Sequence, residues 1–280
     1  MLNNLNSVSE TALITLKSHV METNKPNPVI IDTVAIECFN RLQSLLPGDV
    51  RERVLNKKLP STLTRHIALR ARKYDSYARS FLEEHTDGLV VSLGCGFDTR
   101  YWRVSKEPWK YIEIDLPDVI EAKKQVLGDI TAYTMLGCSV LEEGWINYLA
   151  AMQKEHILFL AEGLFMYLPK DGVISLFKRL SASFVKSQIV FEVVNEKYTK
   201  GLCKKMVASK LSKLGTEAGS SWDFGVRDAL EVESYGDNIK VVEEWSYFED
   251  EKIEPGILYL FRNFKPLSRT QWTIRATIGQ

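Results

Sequence analysis

An α/β fold, with a mostly parallel sheet of seven strands and helices on both of its faces, is what this 280-residue sequence predicts. From Gly88 onwards, short apolar runs alternate with helical patterns, which is typical of βαβ units. The glycine-containing loop Gly94–Asp98 follows the first of these runs, as in Rossmann-like folds. Before Gly88 the apolar residues recur at helical spacing. The sequence therefore predicts a Rossmann-like domain that is preceded by helices.

The composition restricts the classes of protein to which this chain can belong. Lys plus Arg and Asp plus Glu number 36 each, so no net charge recruits nucleic acid or an anionic membrane. The four cysteines are far apart and form no CxxC pair, which argues against a zinc site and a disulfide framework. The first residues lack the features of a signal peptide, and no apolar run approaches the roughly 20 residues of a membrane span. We therefore expect a cytoplasmic protein without a bound metal.

The first part of the chain, residues 1–84, is predicted to be a helical cap segment. Apolar residues recur at helical spacing from about Val8, and Lys25–Pro28 interrupts the pattern. A further helix is expected over Ser61–Glu83. We expect this segment and the sheet domain, residues 85–280, to form one compact unit.

Seven short runs are predicted to be strands. Five of them precede residue 195 and are separated in several places by helical patterns, such as Leu116–Leu127 and Lys170–Phe184, which favours a parallel sheet. Two later runs are also predicted strands, whereas the pattern of Ile257–Phe264 fits a helix and a strand equally well. The seven runs are Leu89–Leu93, Tyr111–Ile114, Ala132–Leu136, Ile157–Ala161, Ile189–Val194, Val241–Tyr247 and Trp272–Ile278.

The stretch after the fifth predicted strand is too long for a simple connection. From Asn195 to about Asp237 it is rich in lysine and helical in pattern, with a break at Gly219–Ser221. We interpret it as a helical cap insertion that, with the N-terminal helices, closes a mostly apolar pocket over the carboxyl end of the sheet. The alternative is an arm that forms a homodimer.

Three groups of residues at the ends of predicted strands are candidates for ligand binding. Gly94 and Gly96 let the backbone turn sharply and approach a ligand closely, although an ordinary tight turn has the same need. Asp115 can accept hydrogen bonds from ribose hydroxyls or cap the helix that follows. Glu162 and Tyr167 follow the fourth strand, at the edge of the sheet where ligands bind in such folds. Either both face a ligand, or Glu162 is exposed in a loop and Tyr167 belongs to the core.

The loop after the first strand differs from a dinucleotide-binding fingerprint. A third glycine would complete the pattern GxGxxG, but Thr99 holds that position. An oxidoreductase with a nucleotide cofactor is therefore the weaker interpretation of this loop.

Four stretches of the chain together resemble one known family. Residues 91–100, VSLGCGFDTR, look like the LGxGxDTR signature of the leucine carboxyl methyltransferase family, and residues 111–117, YIEIDLP, are similar to its xxExDLP element. Residues 161–168, AEGLFMYL, resemble its AEGxxMYL element, and residues 69–75, LRARKYD, resemble its RTRxxD element. The resemblance implies a class I methyltransferase fold. It also points to the family's bacterial branch, which includes polyketide O-methyltransferases of the tetracenomycin type.

The resemblance implies which positions contact S-adenosylmethionine, or its product S-adenosylhomocysteine. Arg70 would pair with the methionine carboxylate, Asp115 would hold the ribose hydroxyls, and Glu162 would lie beside the methionine amino group. Tyr167 would border the transfer site, and Arg100 would anchor the loop. The implied cofactor contacts are Arg70, Gly94, Cys95, Gly96, Asp98, Asp115, Leu116, Ser139, Val140, Glu162 and Gly163.

Two positions depart from the family's pattern. The family has an Asp-Leu pair that contacts adenine after the third strand, where this chain has Ser139 and Val140. Ser139 can still accept a hydrogen bond from the adenine amino group, but more weakly than a carboxylate does. A basic residue that is common near the family's N-terminus falls on His19, which weakens the expectation of a second contact to the cofactor carboxylate.

The expected reaction is methyl transfer to a carboxylate or hydroxyl oxygen of a small, polyketide-like acceptor. An ionised carboxylate needs no general base, whereas a hydroxyl benefits from one, and none of the four histidines lies in a motif that assigns it this role. The alternatives are a protein C-terminal carboxyl methyltransferase and a non-catalytic protein that binds S-adenosylmethionine. The cap segments carry no pattern that identifies the acceptor.

Overall fold

A computed structural model of the chain describes residues 7–46, 48, 51–52, 56, 58–105, 107–131, 133–213, 222–253 and 268–279. The strands are β1 (Leu89–Leu93), β2 (Tyr111–Asp115), β3 (Thr134–Gly137), β4 (Ile157–Ala161), β5 (Ser187–Val194), β6 (Ile239–Trp245) and β7 (Gln271–Ile278). The α-helices in these ranges are α1 (Ser7–Thr23), α2 (Thr33–Leu45), α3 (Ser61–Glu84), α4 (Arg100–Val104), α5 (Pro117–Leu127), α6 (Gly144–Ala151), α7 (Lys170–Ser183) and α8 (Gly201–Lys213).

The seven strands form one sheet in the order β3-β2-β1-β4-β5-β7-β6. The pairs β3–β2, β2–β1, β1–β4 and β4–β5 are parallel, whereas β7 is antiparallel to both β5 and β6. This arrangement confirms the predicted class I fold. Because β1, β2, β4 and β5 run in the same direction, the loops that follow them meet at one edge of the sheet.

Helices cover both faces of the sheet, which explains why its central strands are mostly apolar. In β1, Val90 packs in a core cluster with side chains of α1, α2, α3 and α5. Its neighbours Leu89 and Val91 pack on the other face, in a cluster with side chains of α6 and α7. Successive side chains of a strand point to opposite faces, so a strand that is covered on both faces is apolar at most positions and does not alternate with polar ones.

The observed bounds differ from the predicted ones by a few residues at several ends. The sixth strand begins at Ile239 and ends at Trp245, earlier than predicted, because Tyr247 begins a 3₁₀ turn and stacks its ring on His66 at 4.0 Å. The stretch Ile257–Phe264 and the break Gly219–Ser221 lie outside the described residues. Of the described helices, none has the length and apolar character that crossing a bilayer requires.

Candidate functional site

The loop between β1 and α4 is shaped by two glycines. Gly94 and Gly96 adopt φ values of 65° and 49°, a region that L side chains rarely adopt. A Cβ on Gly94 would lie 2.7 Å from Cδ1 of Leu164, and a Cβ on Gly96 would lie 2.8 Å from the Cβ of Ala12. Both glycines therefore let the loop pack tightly against the loop after β4 and against α1.

The carboxylate of Asp115 ties the end of β2 to this loop. Its Oδ2 accepts a hydrogen bond from the backbone N–H of Gly96 at 2.7 Å, and its Oδ1 accepts one from the backbone N–H of Leu116 at 2.7 Å. The N-cap of α5 is Leu116, and no side chain caps that helix. Burial raises the pKa of Asp115 above its ordinary value, and the two N–H donors act against that shift. The geometry favours a ligand-facing carboxylate over a helix cap.

A buried ion-pair network fixes the far end of the same loop. Arg100 is 1% exposed and pairs through Nε with Asp75 at 2.8 Å and through Nη1 with Asp98 at 2.7 Å. Its third partner is Glu162, which follows β4. Burial disfavours a charged Asp98, but the guanidinium groups of Arg100 and Arg103 hold its pKa well below the usual range. Arg100 therefore ties the loop to α3 and to the loop after β4.

Arg103 extends this network towards the N-terminal segment. It pairs with Asp98 at 3.0 Å, with Asp75 at 2.7 Å and with Asp32 at 2.6 Å. Each oxygen of Asp98 thus has an arginine partner, so the Asp98 side chain anchors the loop as well as lining the site. His19 is buried and contacts Asp32 through Nδ1 at 3.0 Å, away from the residues that line the cavity.

Arg70 of α3 lies between two carboxylates. Its Nε donates to Oε1 of Glu162 at 2.8 Å, and its Nη1 donates to Oε2 of Glu192 in β5 at 2.7 Å. A Cβ on Gly163, whose φ is 65°, would lie 3.3 Å from Nη2 of Arg70. The missing side chain at Gly163 therefore leaves room for the guanidinium group.

The loop after β3 contributes the neutral side chain that replaces the family's aspartate. Oγ of Ser139 accepts a hydrogen bond from the backbone N–H of Leu141 at 3.2 Å. Its hydroxyl group still has a donor and a second lone pair for a ligand. Val140 beside it is buried, and Leu116 across the cavity is 37% exposed. Apolar walls of this kind suit a flat aromatic ring.

The other end of the site is formed by the 3₁₀ turn Phe165–Tyr167 and its surroundings. Met166 is buried in a cluster with Val194 of β5 and Trp222 of the insertion, and Tyr167 packs against this cluster. Burial raises the pKa of Tyr167, so its phenol stays protonated at neutral pH and can donate a hydrogen bond. On the opposite side, residues of α1 line the cavity, including Thr11 and Thr15.

The structure brings every predicted site residue to one place. All the positions predicted to contact the cofactor, together with Tyr167, line one cavity of about 250 Å³ at the carboxyl edge of the sheet. Their individual contacts with a ligand stay predictions. Sequence reasoning missed Glu192, Gln271 and the threonines of α1, which also line this cavity. The sequence did contain a signal for a functional role of Glu192, because it is the one acid in the apolar run Ile189–Val194.

The residues of this cavity fit S-adenosylmethionine. Four carboxylates line it, those of Asp98, Asp115, Glu162 and Glu192, against the two guanidinium groups of Arg70 and Arg100. This surplus of negative charge complements a ligand that carries a sulfonium and an ammonium group but one carboxylate. A mostly apolar lining with a few convergent polar groups is typical of cofactor sites.

The comparisons with known proteins point to one family. The leucine carboxyl methyltransferase family matches residues 12–181 of the chain. The tetracenomycin polyketide synthesis O-methyltransferase TcmP of Streptomyces glaucescens is 28% identical over 246 residues, which cover 88% of this chain and 85% of that protein. The S-adenosyl-L-methionine-dependent methyltransferase dpfgK of Gibberella zeae is 28% identical over 196 residues, which cover 68% of this chain and 65% of that protein.

A solved structure is similar in fold. The DUF574 family protein from Streptomyces avermitilis superposes with a TM-score of 0.53 at 9% identity, covering 94% of this chain and 96% of that one. At this identity the likeness shows the fold alone. Together, the family match, the sequence relatives and the cavity establish that the chain belongs to the leucine carboxyl methyltransferase family and is an S-adenosylmethionine-dependent methyltransferase.

Proposed function

We propose that this methyltransferase acts on an oxygen atom, a carboxylate or a hydroxyl, of a small polyketide-like molecule. The observation that carries the proposal is the continuity of the cavity, whose lining runs from the residues around Asp115 to those around Tyr167. A small acceptor at Tyr167 therefore lies in the same enclosed space as the cofactor. The name of TcmP, an O-methyltransferase of polyketide synthesis, supports an acceptor of this kind.

We assign the ribose of the cofactor to Asp115 and its methionine carboxylate to Arg70, both of which line the cavity. Asp115 would hold the ribose hydroxyls, because its carboxylate oxygens retain lone pairs beyond those used by Gly96 and Leu116. Arg70 would hold the methionine carboxylate with the N–H donors that Glu162 and Glu192 leave free. The remaining predicted cofactor contacts, among them Gly94, Cys95, Ser139, Val140 and Gly163, would line the ligand between them.

S-Adenosylmethionine, when bound, would supply an activated methyl group suited to in-line displacement by an oxygen nucleophile. The protein's task is then to hold the acceptor oxygen in line, and such orientation lowers a barrier by roughly 7–11 kcal/mol. The protonated phenol of Tyr167 would donate a hydrogen bond at the transfer site, and the apolar cluster behind it would exclude water. An acceptor carboxylate needs no further group from the protein, because it is ionised at neutral pH.

The N-terminal helices and the insertion would form the lid of this site. Thr11 and Thr15 of α1 line the cavity, and Trp222 packs behind Tyr167. Removal of residues 200–220, part of which lies outside the described ranges, would then abolish transfer and leave cofactor affinity nearly intact. Loss of dimerisation with activity retained would show instead that the insertion is a dimer arm.

Methyl transfer to a chosen panel tests the proposed function. The purified chain is incubated with S-adenosylmethionine and with aromatic polyketide-like hydroxyl compounds, the corresponding carboxylic acids, and peptides that end in a free leucine carboxylate. Product mass and S-adenosylhomocysteine release are measured. Methylation of a small molecule at oxygen supports the proposal. Methylation of the peptides alone would assign a protein carboxyl methyltransferase, and cofactor binding without transfer to any acceptor would favour a non-catalytic binding protein.

A further inference from the structure

Glu192 occupies a position where an apolar side chain would be expected. It lies in β5 between Phe191 and Val193, both fully buried, and is itself 2% exposed. A buried carboxylate costs free energy unless it is paired and hydrogen-bonded, and apolar replacements of buried ion pairs are often no less stable. Stability of the sheet therefore does not explain why an acid stands here.

The contacts of Glu192 lead to the cofactor site. Its Oε2 accepts a hydrogen bond from Nη1 of Arg70 at 2.7 Å, while Oε1 of Glu162 accepts one from Nε of the same guanidinium at 2.8 Å. Gln271, at the start of β7, also hydrogen-bonds to Glu192. The planar guanidinium of Arg70 is thus held at two of its nitrogens, by Glu162 after β4 and by Glu192 in β5, and these two contacts fix its orientation.

The net charge around Arg70 also points towards a ligand. Arg70, Arg100 and Arg103 are paired with five carboxylates, those of Asp32, Asp75, Asp98, Glu162 and Glu192. Glu192 contributes to the negative surplus of this network, and its pKa is raised by burial although Arg70 acts in the opposite direction. A cationic ligand in the adjoining cavity would compensate this charge.

We propose that Glu192 is a positioning residue of the cofactor site, which holds the Arg70 guanidinium in the orientation that binds the methionine carboxylate. Glu162 fixes one edge of the guanidinium, and Glu192 fixes the next. Nη2 of Arg70 lies next to Gly163, and because Gly163 has no side chain, none covers this side of the guanidinium there. The proposal rests on the cofactor role that we propose for Arg70.

The proposal is tested with two probes that share the adenosine end and differ at the methionine end. S-Adenosylhomocysteine carries the amino-acid carboxylate and amino group, and 5′-methylthioadenosine lacks both. The variant Glu192→Gln should bind S-adenosylhomocysteine about tenfold more weakly, because an amide oxygen is a weaker acceptor than a carboxylate and orients Arg70 less firmly. Its affinity for 5′-methylthioadenosine should stay at the wild-type value. Both affinities are measured by isothermal titration calorimetry.

Two further variants separate positioning from other effects. Arg70→Lys should lose affinity for the same probe, and Glu192→Gln combined with Arg70→Lys should bind no more weakly than the weaker single variant, because both act through one contact. Glu243→Gln is the matched control, since Glu243 of β6 pairs with Lys73 at 2.9 Å outside the cavity lining. The Glu243→Gln variant should bind S-adenosylhomocysteine and 5′-methylthioadenosine with wild-type affinity.

Four results for these variants would overturn the proposal. Wild-type affinity of Glu192→Gln for S-adenosylhomocysteine would leave Glu192 as an ordinary buried ion pair. Equal losses for both probes would indicate general damage to the site. Additive losses in the double variant, or a loss in Glu192→Gln without one in Arg70→Lys, would show that Glu192 acts independently of Arg70. Absence of methyl transfer by a wild type that binds S-adenosylhomocysteine would contradict the proposed function and leave this inference standing.

Discussion

The two halves that we propose for the cavity differ in character: the cofactor half carries charged side chains that ion pairs and backbone amides hold in place, whereas the 3₁₀ turn of the acceptor half packs in an apolar cluster. In the cofactor half, Arg70 and Arg100 each make two or more polar contacts with other elements, and Asp115 accepts hydrogen bonds from two backbone N–H groups. In the acceptor half, Met166 and Tyr167 pack against side chains of β5 and of the insertion.

This difference matches the demands on the two halves. A site for one charged cofactor benefits from fixed partners, because preorganised groups pay little orientational cost on binding. A pocket for an apolar acceptor needs mainly shape, and apolar side chains can be exchanged without leaving unpaired charges behind. Substitutions in the cofactor half should therefore change stability and cofactor affinity strongly, and those in the acceptor half should change turnover alone.

The largest effect is expected where the network behind the cofactor loop is broken. Arg100→Met removes one buried arginine partner from each of Asp75, Asp98 and Glu162, and removing one member of such a network costs about 3–5 kcal/mol in the free energy of unfolding. Urea denaturation measures this loss. The control is Lys186→Met, which removes an exposed pair with Glu155 and should leave the unfolding curve unchanged. An Arg100→Met protein as stable as the wild type would contradict the account of the network.

A smaller effect is expected at the ribose end of the cofactor half. Asp115→Ala should weaken S-adenosylhomocysteine binding by roughly 1–3 kcal/mol, because the ribose hydroxyls lose their acceptor. The fold should survive, since the residue lies at the end of a strand. Calorimetry measures the affinity, and Asp118→Ala, three residues on and exposed, serves as the control. Unchanged affinity in a folded Asp115→Ala protein would mean that Asp115 only ties the loop to β2.

The smallest effect on cofactor affinity is expected in the acceptor half. Tyr167→Phe removes one hydroxyl and keeps the packing against Met166. Affinity for S-adenosylhomocysteine should stay within about twofold of the wild type, while the rate of methyl transfer should fall about tenfold for the loss of one hydrogen bond. A loss of cofactor affinity without a change in the transfer rate would reverse the assignment of the two halves.

The same contrast explains what the sequence could predict. The cofactor side of the cavity is built from short motifs of glycines and charged residues that occur along the chain in the order typical of the family. Gly94, Gly96, Asp115 and the loop that contains Glu162 could therefore be recognised from the sequence. The strands of the parallel sheet were recognisable because burial on both faces makes them mostly apolar.

Other features depend on contacts between distant segments. The two hydrogen bonds that Arg70 of α3 donates to Glu162 and Glu192 join α3 to the loop after β4 and to β5. No local sequence pattern connects these stretches. The role of Asp98 as an anchor emerged from its two arginine partners. α1 lines the cavity and Trp222 of the insertion packs with Met166, and apolar side chains at helical spacing predict burial without saying against what.

A crystal structure of the chain with S-adenosylhomocysteine tests the central claim most directly. The account predicts the ligand in the cavity at the carboxyl edge of the sheet, with the ribose hydroxyls on Asp115, the methionine carboxylate on Arg70 and the sulfur atom pointing towards Tyr167. A ligand bound with its ribose away from Asp115 and its carboxylate away from Arg70, or bound outside this cavity, would contradict it.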